Sequence, residues 1–519
     1  MKLLPSFEDP DVIRIDRLTS ERIAGEKLPD YDAITATISP GKTIFFIGIG
    51  GISMSGLAEY ASRQGVRCAG SDPTENARTA YLQQQDILVF HEHEASNIDQ
   101  VKPDLVVYSN AVSADNPERT RSDELGIPCV NRSVFLGAIN RMFRRAIHIT
   151  GTNGKTTTTA MCALMLMEAE LDPMVHLGAE LREFHSTIRF SESGNHELFL
   201  SEACEYQRGF YHYEGTAIAI LNIVHDHIDS FPTIDDMIDA FARFVALQPE
   251  NTYVLVPSDD PHIPTMLRRL EEVRPSHSKK LHWLWYGSEG TKKPGGAPAD
   301  YTYRITSYDD SGHPSFQLYK KGVLFTSAKL STIGEFNVKN AVAAAALADL
   351  AGATPDDIRI ACGKFHGAEG RFTYTGRFNG ADIYVDYAHH PSAVEVTVEA
   401  IKNKPAKRFW ICFQPMTYSR TRGFFDAFVE SLYKIQPVLI SEVFDNREKN
   451  ATISSKDLCD CINELGGDAR YFATNEALEV YLRRVIEPGD VVLIMGGGTN
   501  ILDVGDRLTG RSDHMKPVP

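Results

Sequence analysis

Residues 145–170, RAIHITGTNGKTTTTAMCALMLMEAE, place a glycine turn between an apolar strand pattern and a helical pattern. In such a unit several backbone N–H groups and the helix dipole point at one anion, so the sequence predicts a phosphate-binding loop. Lys155 would meet the β- and γ-phosphates, and the hydroxyl of Thr156 or Thr157 would bind Mg²⁺. The loop starts at Gly151 and is shorter than the general pattern G-x-x-x-x-G-K-[ST]. A chance glycine turn before a helix is the less favoured interpretation.

A second strand–glycine–helix unit lies nearer the N-terminus. The sequence FFIGIGGISMSG, residues 45–56, is close to the dinucleotide-binding pattern G-x-G-x-x-G, with Ser53 in the third glycine position. Asp72 follows at about the distance from which an acidic side chain reaches a ribose hydroxyl. The motif alone leaves three interpretations open: NAD, another nucleotide diphosphate, or a tight strand–helix turn.

Strand and helix patterns alternate along three blocks of the chain, which predicts doubly wound parallel sheets of the α/β class. The expected organisation is an extension over residues 1–40, a Rossmann-like domain over 41–143, a central P-loop ATPase-type domain over 144–369 and a second Rossmann-like domain over 370–519. Ligands of such sheets bind at the carboxyl ends of the strands, and most chemically interesting residues of this sequence fall there.

Composition restricts the expected partners and compartment. The chain has 519 residues, 53 lysines and arginines against 69 acidic residues, and a formal net charge of -16. Nucleic acid and anionic membranes favour basic surfaces, so we expect neither as a partner. No run approaches the ~18 apolar residues of a membrane span, and the N-terminus has acids and a proline where an export signal needs an apolar run. The eight scattered cysteines fit reduced thiols, so we expect a cytoplasmic protein.

Acidic and histidine side chains follow two strands of the central block. Glu202 and Glu205 lie in FLSEACEY, and His225, Asp226 and His227 lie in LNIVHDHIDSF. Carboxylate and imidazole together can hold Mg²⁺ or Mn²⁺, and a phosphate loop nearby makes the pair of Glu202 and His227 more credible. Surface or capping histidines are the alternative interpretation. Zinc is disfavoured, because no cysteine pair supports it.

Polar residues also follow two strands of the third block. The segment VDYAHHPSAV contains Asp386, Tyr387 and His389, and FQPMTYSRTR contains Arg420. An arginine can form paired hydrogen bonds with a carboxylate or a phosphate. Ordinary charges on a solvated loop are the alternative interpretation.

Taken in order, these segments resemble the Mur ligases of peptidoglycan synthesis over roughly residues 42–510. The matching segments are FIGIGGISMSGLAE, GSD, SADNPE, GIPCVNRSVFLG, TGTNGKTTTT, EACEY, LNIVHDHID, FNVKNAVAAAA, VDYAHHP, FQPMTYSRT and REKN. The family's phosphate loop has the short form G-T-x-G-K-T, which accounts for the loop that starts at Gly151.

The resemblance implies a three-domain enzyme and assigns roles to individual residues. The UDP-sugar site would include Gly48, Gly50, Gly51, Ser53, Asp72 and Ser109. The ATP site would include Gly151, Thr152, Asn153, Gly154, Lys155, Thr156, Thr157, Asn337, Asn340, Arg371, Asp386, Tyr387 and His389. The implied metal ligands are Thr156, Glu202 and His227, and the implied catalytic residues are Lys155, Glu202, His227, Arg371 and Arg420.

The implied reaction uses ATP and Mg²⁺, with Mn²⁺ as a substitute, to join L-alanine to the carboxylate of UDP-N-acetylmuramate through an acyl phosphate. Met416 stands where the family often has histidine, beside the expected amino-acid pocket, so another small acceptor stays open. The alternatives are a murein-recycling ligase that adds a peptide to the same sugar and a non-catalytic UDP-sugar-binding regulator. An NAD-dependent oxidoreductase would leave the ATP loop unexplained. Monomer and homodimer both stay open.

Overall fold

The computed structural model describes residues 29–511, apart from residues 182, 185, 436 and 446–452 and the side chain of residue 499. Within these ranges the chain forms three sheets with helices on their faces, which confirms the predicted α/β class with three domains. No helix in the described part of the chain is long and apolar enough to cross a membrane. The segment REKN and most of the expected extension, residues 1–28, lie outside the described residues.

A five-stranded parallel sheet forms the first domain. Its elements are α1 (Tyr31–Ala36), β1 (Thr43–Ile47), α2 (Ile52–Arg63), β2 (Arg67–Ser71), α3 (Ala77–Gln84), β3 (Leu88–Phe90), α4 (Ala95–Val101), β4 (Leu105–Tyr108), α5 (Pro117–Glu124), β5 (Cys129–Asn131) and α6 (Arg132–Asn140). The strands lie in the order β3-β2-β1-β4-β5 and all pair in parallel. The order reverses beside β1, so the carboxyl ends of β1 and β4 frame a crevice.

Helix α1 lies within the expected N-terminal extension, yet it packs against α6 and buries Tyr31 and Ile34. The Tyr31 hydroxyl lies 2.7 Å from Nδ1 of His212, and the Arg141 guanidinium lies 3.5 Å from the centre of its ring. Arg141 also forms an ion pair with Glu214. This helix has only 6 residues, which is too short for a helical spacing of apolar residues to be recognised in the sequence.

The middle domain contains a ten-stranded mixed sheet in the order β15-β14-β13-β12-β11-β10-β6-β9-β7-β8. Its elements are β6 (Arg145–Thr150), α7 (Lys155–Glu168), β7 (Met174–Leu181), β8 (Ser186–Arg189), β9 (Leu198–Glu202), β10 (Ala217–Ile220), α8 (Ile234–Ala246), β11 (Tyr253–Pro257), α9 (Ile263–Val273), β12 (His282–Ser288), β13 (Tyr301–Tyr308), β14 (Pro314–Lys320), β15 (Val323–Lys329), α10 (Glu335–Ala351) and α11 (Pro355–Lys364). Two 3-10 helices span Tyr206–His212 and His277–Lys280. The alanine-rich α10 packs against α7 and brings Asn337 and Asn340 near the phosphate loop.

Three strands at one edge of this sheet, β13 to β15, are antiparallel, an arrangement that the predicted parallel sheet did not include. Lys321 and Gly322 connect β14 to β15 with φ angles of 51° and 78°. Two consecutive left-handed residues form the tight turn that joins antiparallel strands. β8 adds a further antiparallel pairing at the opposite edge.

The third domain has six strands in the order β16-β17-β21-β18-β19-β20, and only the pairing of β16 with β17 is antiparallel. Its elements are β16 (Thr373–Phe378), β17 (Ala381–Asp386), α12 (Pro391–Lys402), β18 (Phe409–Gln414), α13 (Tyr418–Gly423), α14 (Phe425–Tyr433), β19 (Val438–Ser441), α15 (Ser455–Glu464), β20 (Ala469–Phe472), α16 (Asn475–Val485), β21 (Val491–Gly496) and α17 (Thr499–Thr509). The four strands that carry the apolar runs DIYVDYA, RFWICFQ, PVLISEV and DVVLIMGGG form its centre.

The three sheets do not each have a separate hydrophobic core. One core joins first-domain side chains such as Phe46 and Phe135 to middle-domain side chains such as Phe199 and Phe210. A second core fills the other face of the middle sheet. The third domain has cores on both faces of its own sheet. The first two domains are therefore packed as one body, and the third domain is packed largely by itself.

Candidate active site

The phosphate loop connects β6 to α7 as predicted. Gly151 and Gly154 have φ angles of 128° and 87°, in the region that favours glycine. A Cβ on Gly154 would lie 2.7 Å from Oδ1 of Asn340, so α10 also requires a glycine at this position. The amide N–H of Asn153 donates to Oδ1 of Asn222, which fixes the loop to the end of β10. The turn therefore presents the first amides of α7 to the cleft.

Lys155 folds back over this loop. Its Nζ lies 2.6 Å from the Gly151 carbonyl oxygen and 2.9 and 3.0 Å from the two carboxylate oxygens of Glu205. Burial alone would lower the pKa of Lys155, but the Glu205 carboxylate outweighs that effect, and the pKa is raised. Burial likewise acts to raise the pKa of Glu205, which Lys155 and His227 nonetheless keep below its usual value. Both side chains are therefore ionised.

One cleft between the middle and third domains gathers most of the predicted ATP-site residues. Its lining includes residues 152–157 of the loop, Asn337 and Asn340 from α10, and Arg371, Asp386, Tyr387 and His389 from the third domain. His227 lines the same cleft. Residues that lie more than 200 positions apart in the sequence thus meet around one space. Their roles toward ATP remain predictions.

The third-domain residues of the cleft hold one another in place. The Arg371 guanidinium lies 4.5 Å from the centre of the Tyr387 ring. Asp386 is buried at the end of β17, and its carboxylate accepts hydrogen bonds from the Thr397 hydroxyl at 2.7 Å and the Phe372 amide at 3.2 Å. Burial raises the pKa of Asp386 despite these donors. The carboxylate is thus fixed at the cleft wall.

His389 has a defined tautomer. Its Nδ1 lies 2.8 Å from the Tyr387 carbonyl oxygen, which can only accept, so Nδ1 carries the proton. Burial and the neighbouring Arg420 lower the pKa of His389 to about 3. The ring is therefore neutral near pH 7, and its Nε2 is available as a hydrogen-bond acceptor toward the cleft.

His227 and Arg420 meet on the carboxylate of Asp226. Arg420 Nε and the His227 amide N–H both donate to Asp226 Oδ1, at 3.0 and 2.7 Å. The His227 Nε2 lies 3.6 Å from Oε1 of Glu205. The predicted catalytic residues Lys155, His227 and Arg420 are thus linked through two carboxylates, Glu205 and Asp226. The sequence pattern indicated these two carboxylates only as candidate cation ligands at strand ends.

Glu202 lies at the end of β9 with its Oε1 2.6 Å from the Gly178 amide on β7. It is Glu205, three residues later, that contacts Lys155 and approaches His227. In the part of the chain that the structure describes, no three His, Cys, Asp or Glu side chains form a ready cluster for a metal. A metal held by Thr156, Glu202 and His227 therefore stays a prediction.

The first-domain glycine turn carries the predicted UDP-sugar residues. The Gly50 amide donates to Oδ2 of Asp72 at 2.9 Å, so this carboxylate closes the turn. Gly48 has a φ of 79°, and a Cβ on it would lie 3.3 Å from the Ser109 Cβ. Gly51 precedes the first residue of α2. These five residues therefore lie at the carboxyl ends of β1, β2 and β4, as expected for a ligand at this crevice.

A polar link connects this turn to the middle domain. Ser53 Oγ lies 2.7 Å from Nε2 of His176 on β7 and accepts from Arg132 Nη1 at 3.0 Å. Two residues beyond His176, Gly178 holds Glu202. His176 lies in no recognisable motif, and the docking of α2 on β7 brings it to Ser53. Arg132 lies in the matching segment GIPCVNRSVFLG, but no role was predicted for it.

Met416 is buried at the end of β18. A Cβ on Gly497 would overlap its Sδ and lie 3.1 Å from the His389 Cβ, so the three residues are in close contact. The thioether offers only a weak acceptor, so the side chain packed beside His389 is apolar.

Models of one protein family match three parts of the chain. The model described as "Mur ligase family, catalytic domain" matches residues 43–144, "Mur ligase middle domain" matches 149–348, and "Mur ligase, glutamate ligase domain" matches 370–498. The three matches correspond in order to the three sheets.

Curated proteins and a solved structure agree with this family. A UDP-N-acetylmuramate–L-alanine ligase of Agathobacter rectalis is 36% identical over 90% of this chain and 97% of its own length, and that of Acetivibrio thermocellus is 34% identical over 90% and 95%. The crystal structure of UDP-N-acetylmuramate-alanine ligase from Thermotoga maritima matches with a TM-score of 0.71 and 26% identity over 91% of this chain and 99% of that one. The chain belongs to the Mur ligase family.

Proposed function

We propose that the chain joins L-alanine to the carboxylate of UDP-N-acetylmuramate at the expense of ATP, in the synthesis of peptidoglycan precursors. The observation that carries this proposal is the single cleft in which the phosphate loop, α10 and the third-domain residues Arg371, Asp386 and His389 face one another. The relatives with 34–36% identity over 90% of the chain support the choice of substrates.

The reaction proceeds in two steps. An oxygen of the sugar carboxylate attacks the γ-phosphorus, the bond to the β–γ bridging oxygen breaks, and ADP leaves with an acyl phosphate remaining. The L-alanine amine then attacks the acyl carbon, inorganic phosphate leaves and the amine loses a proton. Lys155 and the first amides of α7 stabilise the transferring phosphoryl group, where negative charge accumulates.

The UDP-sugar would occupy the first-domain turn, with its carboxylate directed past Ser53 and His176 toward the phosphate loop. These residues form the polar link between the two glycine turns. A substrate that spans this link brings its carboxylate to the γ-phosphate, which removes most of the entropic cost of the encounter.

The acceptor would enter between Arg420 and His389. Arg420 provides a charge for the L-alanine carboxylate, and the neutral Nε2 of His389 can accept a hydrogen bond from the amine. Met416 gives the pocket an apolar wall that suits a methyl side chain.

The side chains also fit a divalent cation. The Thr156 hydroxyl and the His227 imidazole line the phosphate cleft, and the carboxylates of Glu202 and Glu205 lie beside it. This donor set suits Mg²⁺, which prefers oxygen ligands and leaves several of its coordination positions to water and substrate phosphates. When bound, the cation would neutralise charge on the β- and γ-phosphates.

A phosphate-release assay tests the proposal. Purified protein receives ATP, Mg²⁺ and UDP-N-acetylmuramate with each small amino acid in turn, and mass spectrometry identifies the product. We expect release and an amide product with L-alanine. No release with any small amino acid would contradict the ligase proposal. Release with a tripeptide but not with L-alanine would identify the recycling reaction instead.

A further inference from the structure

An ion pair between Asp226 and Arg420 connects the middle domain to the third domain across 194 positions of sequence. The Nε and Nη2 atoms of Arg420 both lie 3.0 Å from Oδ1 of Asp226, and the two side chains are only 11% and 6% exposed. Because both charges are largely shielded from water, solvent and salt screen their attraction only weakly. The pair therefore favours the docked position of the third domain.

The same oxygen also holds the backbone of His227. The His227 amide donates to Asp226 Oδ1 at 2.7 Å, and His227 has a φ of 53°. A non-glycine residue in this region is strained and needs contacts that hold it there. Here the conformation directs the His227 ring toward Glu205, with Nε2 3.6 Å from its Oε1. Asp226 thus supports the orientation of a side chain in the phosphate cleft.

Glu205 contacts the His227 ring and connects it to the phosphate loop. Its carboxylate is fully buried and pairs with Lys155. Lys155, Glu205, His227, Asp226 and Arg420 consequently form one series of charged or ionisable groups that runs from the phosphate loop to α13. A change at Lys155 would therefore act on His227 through Glu205, and a change at Arg420 would act on it through Asp226.

We propose that Asp226 is a positioning residue that couples docking of the third domain, through Arg420, to the orientation of His227 in the cleft. When the third domain moves away, Asp226 loses its cation and turns toward water, and the hydrogen bond from the His227 amide to its carboxylate breaks. The cleft is then complete only in the closed molecule, which limits ATP hydrolysis before the acceptor is in place. The turnover part of this inference rests on the proposed function.

A double-mutant cycle tests the coupling. We expect Asp226→Asn and Arg420→Gln each to lower kcat at least about tenfold, with little change in the KM for UDP-N-acetylmuramate. The double variant should be no worse than the poorer single variant, because both changes break the same link. Asp226→Glu keeps the charge and should recover part of kcat. If the losses of kcat in the two single variants multiply in the double variant, the proposal is overturned.

A second measurement does not depend on ligation. In histidine-labelled protein with a non-hydrolysable ATP analogue, the ring signal of His227 is assigned from its loss in His227→Gln. We expect Arg420→Gln to shift this signal and to increase the radius of gyration measured by X-ray scattering. An unchanged His227 signal would refute the coupling even if the enzyme ligates as proposed. If the wild type shows no ligation, the proposed function fails while this measurement still decides the coupling.

Asp349→Asn is the matched control. Asp349 forms an ion pair with Lys320 at 2.6 Å, is 11% exposed and lies within the middle domain at the far end of α10. Its loss should lower the melting temperature and leave both kcat and the His227 signal unchanged. A shifted His227 signal in this variant would show that the signal reports general loosening, and would overturn its use as evidence for the coupling.

Discussion

At the scale of single residues, Lys155 has two separable contributions. Lys155→Ala should abolish turnover, because the transferring phosphoryl group loses its cation, while UDP-sugar binding stays nearly intact. The variant also leaves the fully buried Glu205 without its ion-pair partner, so stability should fall by about 3–5 kcal/mol. Phosphate release, titration calorimetry with UDP-N-acetylmuramate and thermal unfolding measure the three effects.

The control is the double variant Lys155→Ala with Glu205→Gln. Removing the unpaired charge should restore much of the lost stability without restoring turnover. Turnover that returns together with stability would show that Lys155 acts only as a structural partner of Glu205.

Sequence alone predicts which residues gather near the cleft better than it predicts the contacts between them. Lys155, His227 and Arg420 were predicted because each stands in a recognisable motif. The link through Asp226 could not be predicted, since it joins positions 194 residues apart and depends on how two domains dock. His176 carries no local signal, and only the contact between α2 and β7 reveals it.

At the scale of elements, the turn between β6 and α7 depends on Gly154. Gly154→Ala should raise the KM for ATP strongly, because the residue has a φ of 87° and its new Cβ would press on Oδ1 of Asn340. Gly352→Ala is the control: Gly352 ends α10 with a φ of 115°, and a Cβ there meets nothing within 4 Å. It should cost about 1–2 kcal/mol of stability and leave the KM unchanged.

Steady-state kinetics with ATP as the varied substrate separates these outcomes. Equal increases of KM in both variants would argue that strain alone, and not the contact with Asn340, controls the loop.

The strand–turn–helix units were the most predictable elements. In β1–α2 and β6–α7, buried strands, glycines and helical spacing all lie within about 25 residues, so local reasoning suffices. The hairpins β13 to β15 and the helix α1 were missed, because their stability comes from burial against distant parts of the chain.

At the scale of the whole molecule, burial lowers the pKa of five histidines to about 3 or 4: His148, His176, His212, His277 and His389. Histidines of an unfolded chain have a pKa of about 6.5, so between about pH 6.5 and 4 the unfolded chain binds protons that the folded chain does not. Stability should therefore fall as pH decreases below about 6.5, by roughly 1.4 kcal/mol per pH unit for each proton.

Urea unfolding midpoints between pH 7.5 and pH 5 measure this dependence. His277→Gln should reduce the slope, because it removes one of the buried imidazoles whose pKa is lowered in the folded chain. An unchanged dependence of stability on pH in His277→Gln would contradict the lowered pKa of His277.

The shared core predicts two unfolding transitions for three domains. Phe135→Ala in the first domain should lower the melting of the first and middle domains together, by about 3–5 kcal/mol of stability, because its core includes both. Phe413→Ala, buried in the third domain, should lower the other transition. Calorimetry checks this expectation, and three independent transitions would contradict it.

The separate packing of the third domain has a consequence for the evolution of such enzymes. A domain that brings its own cores can be replaced by recombination without repacking its neighbours. Met416 and Arg420 would travel with it, while Lys155 and both glycine turns would stay behind. Arg371, Asp386 and His389 of the cleft would also travel with the third domain. A chimera joined near Gly367 should therefore keep its phosphate loop and take its acceptor preference from the donor of the third domain.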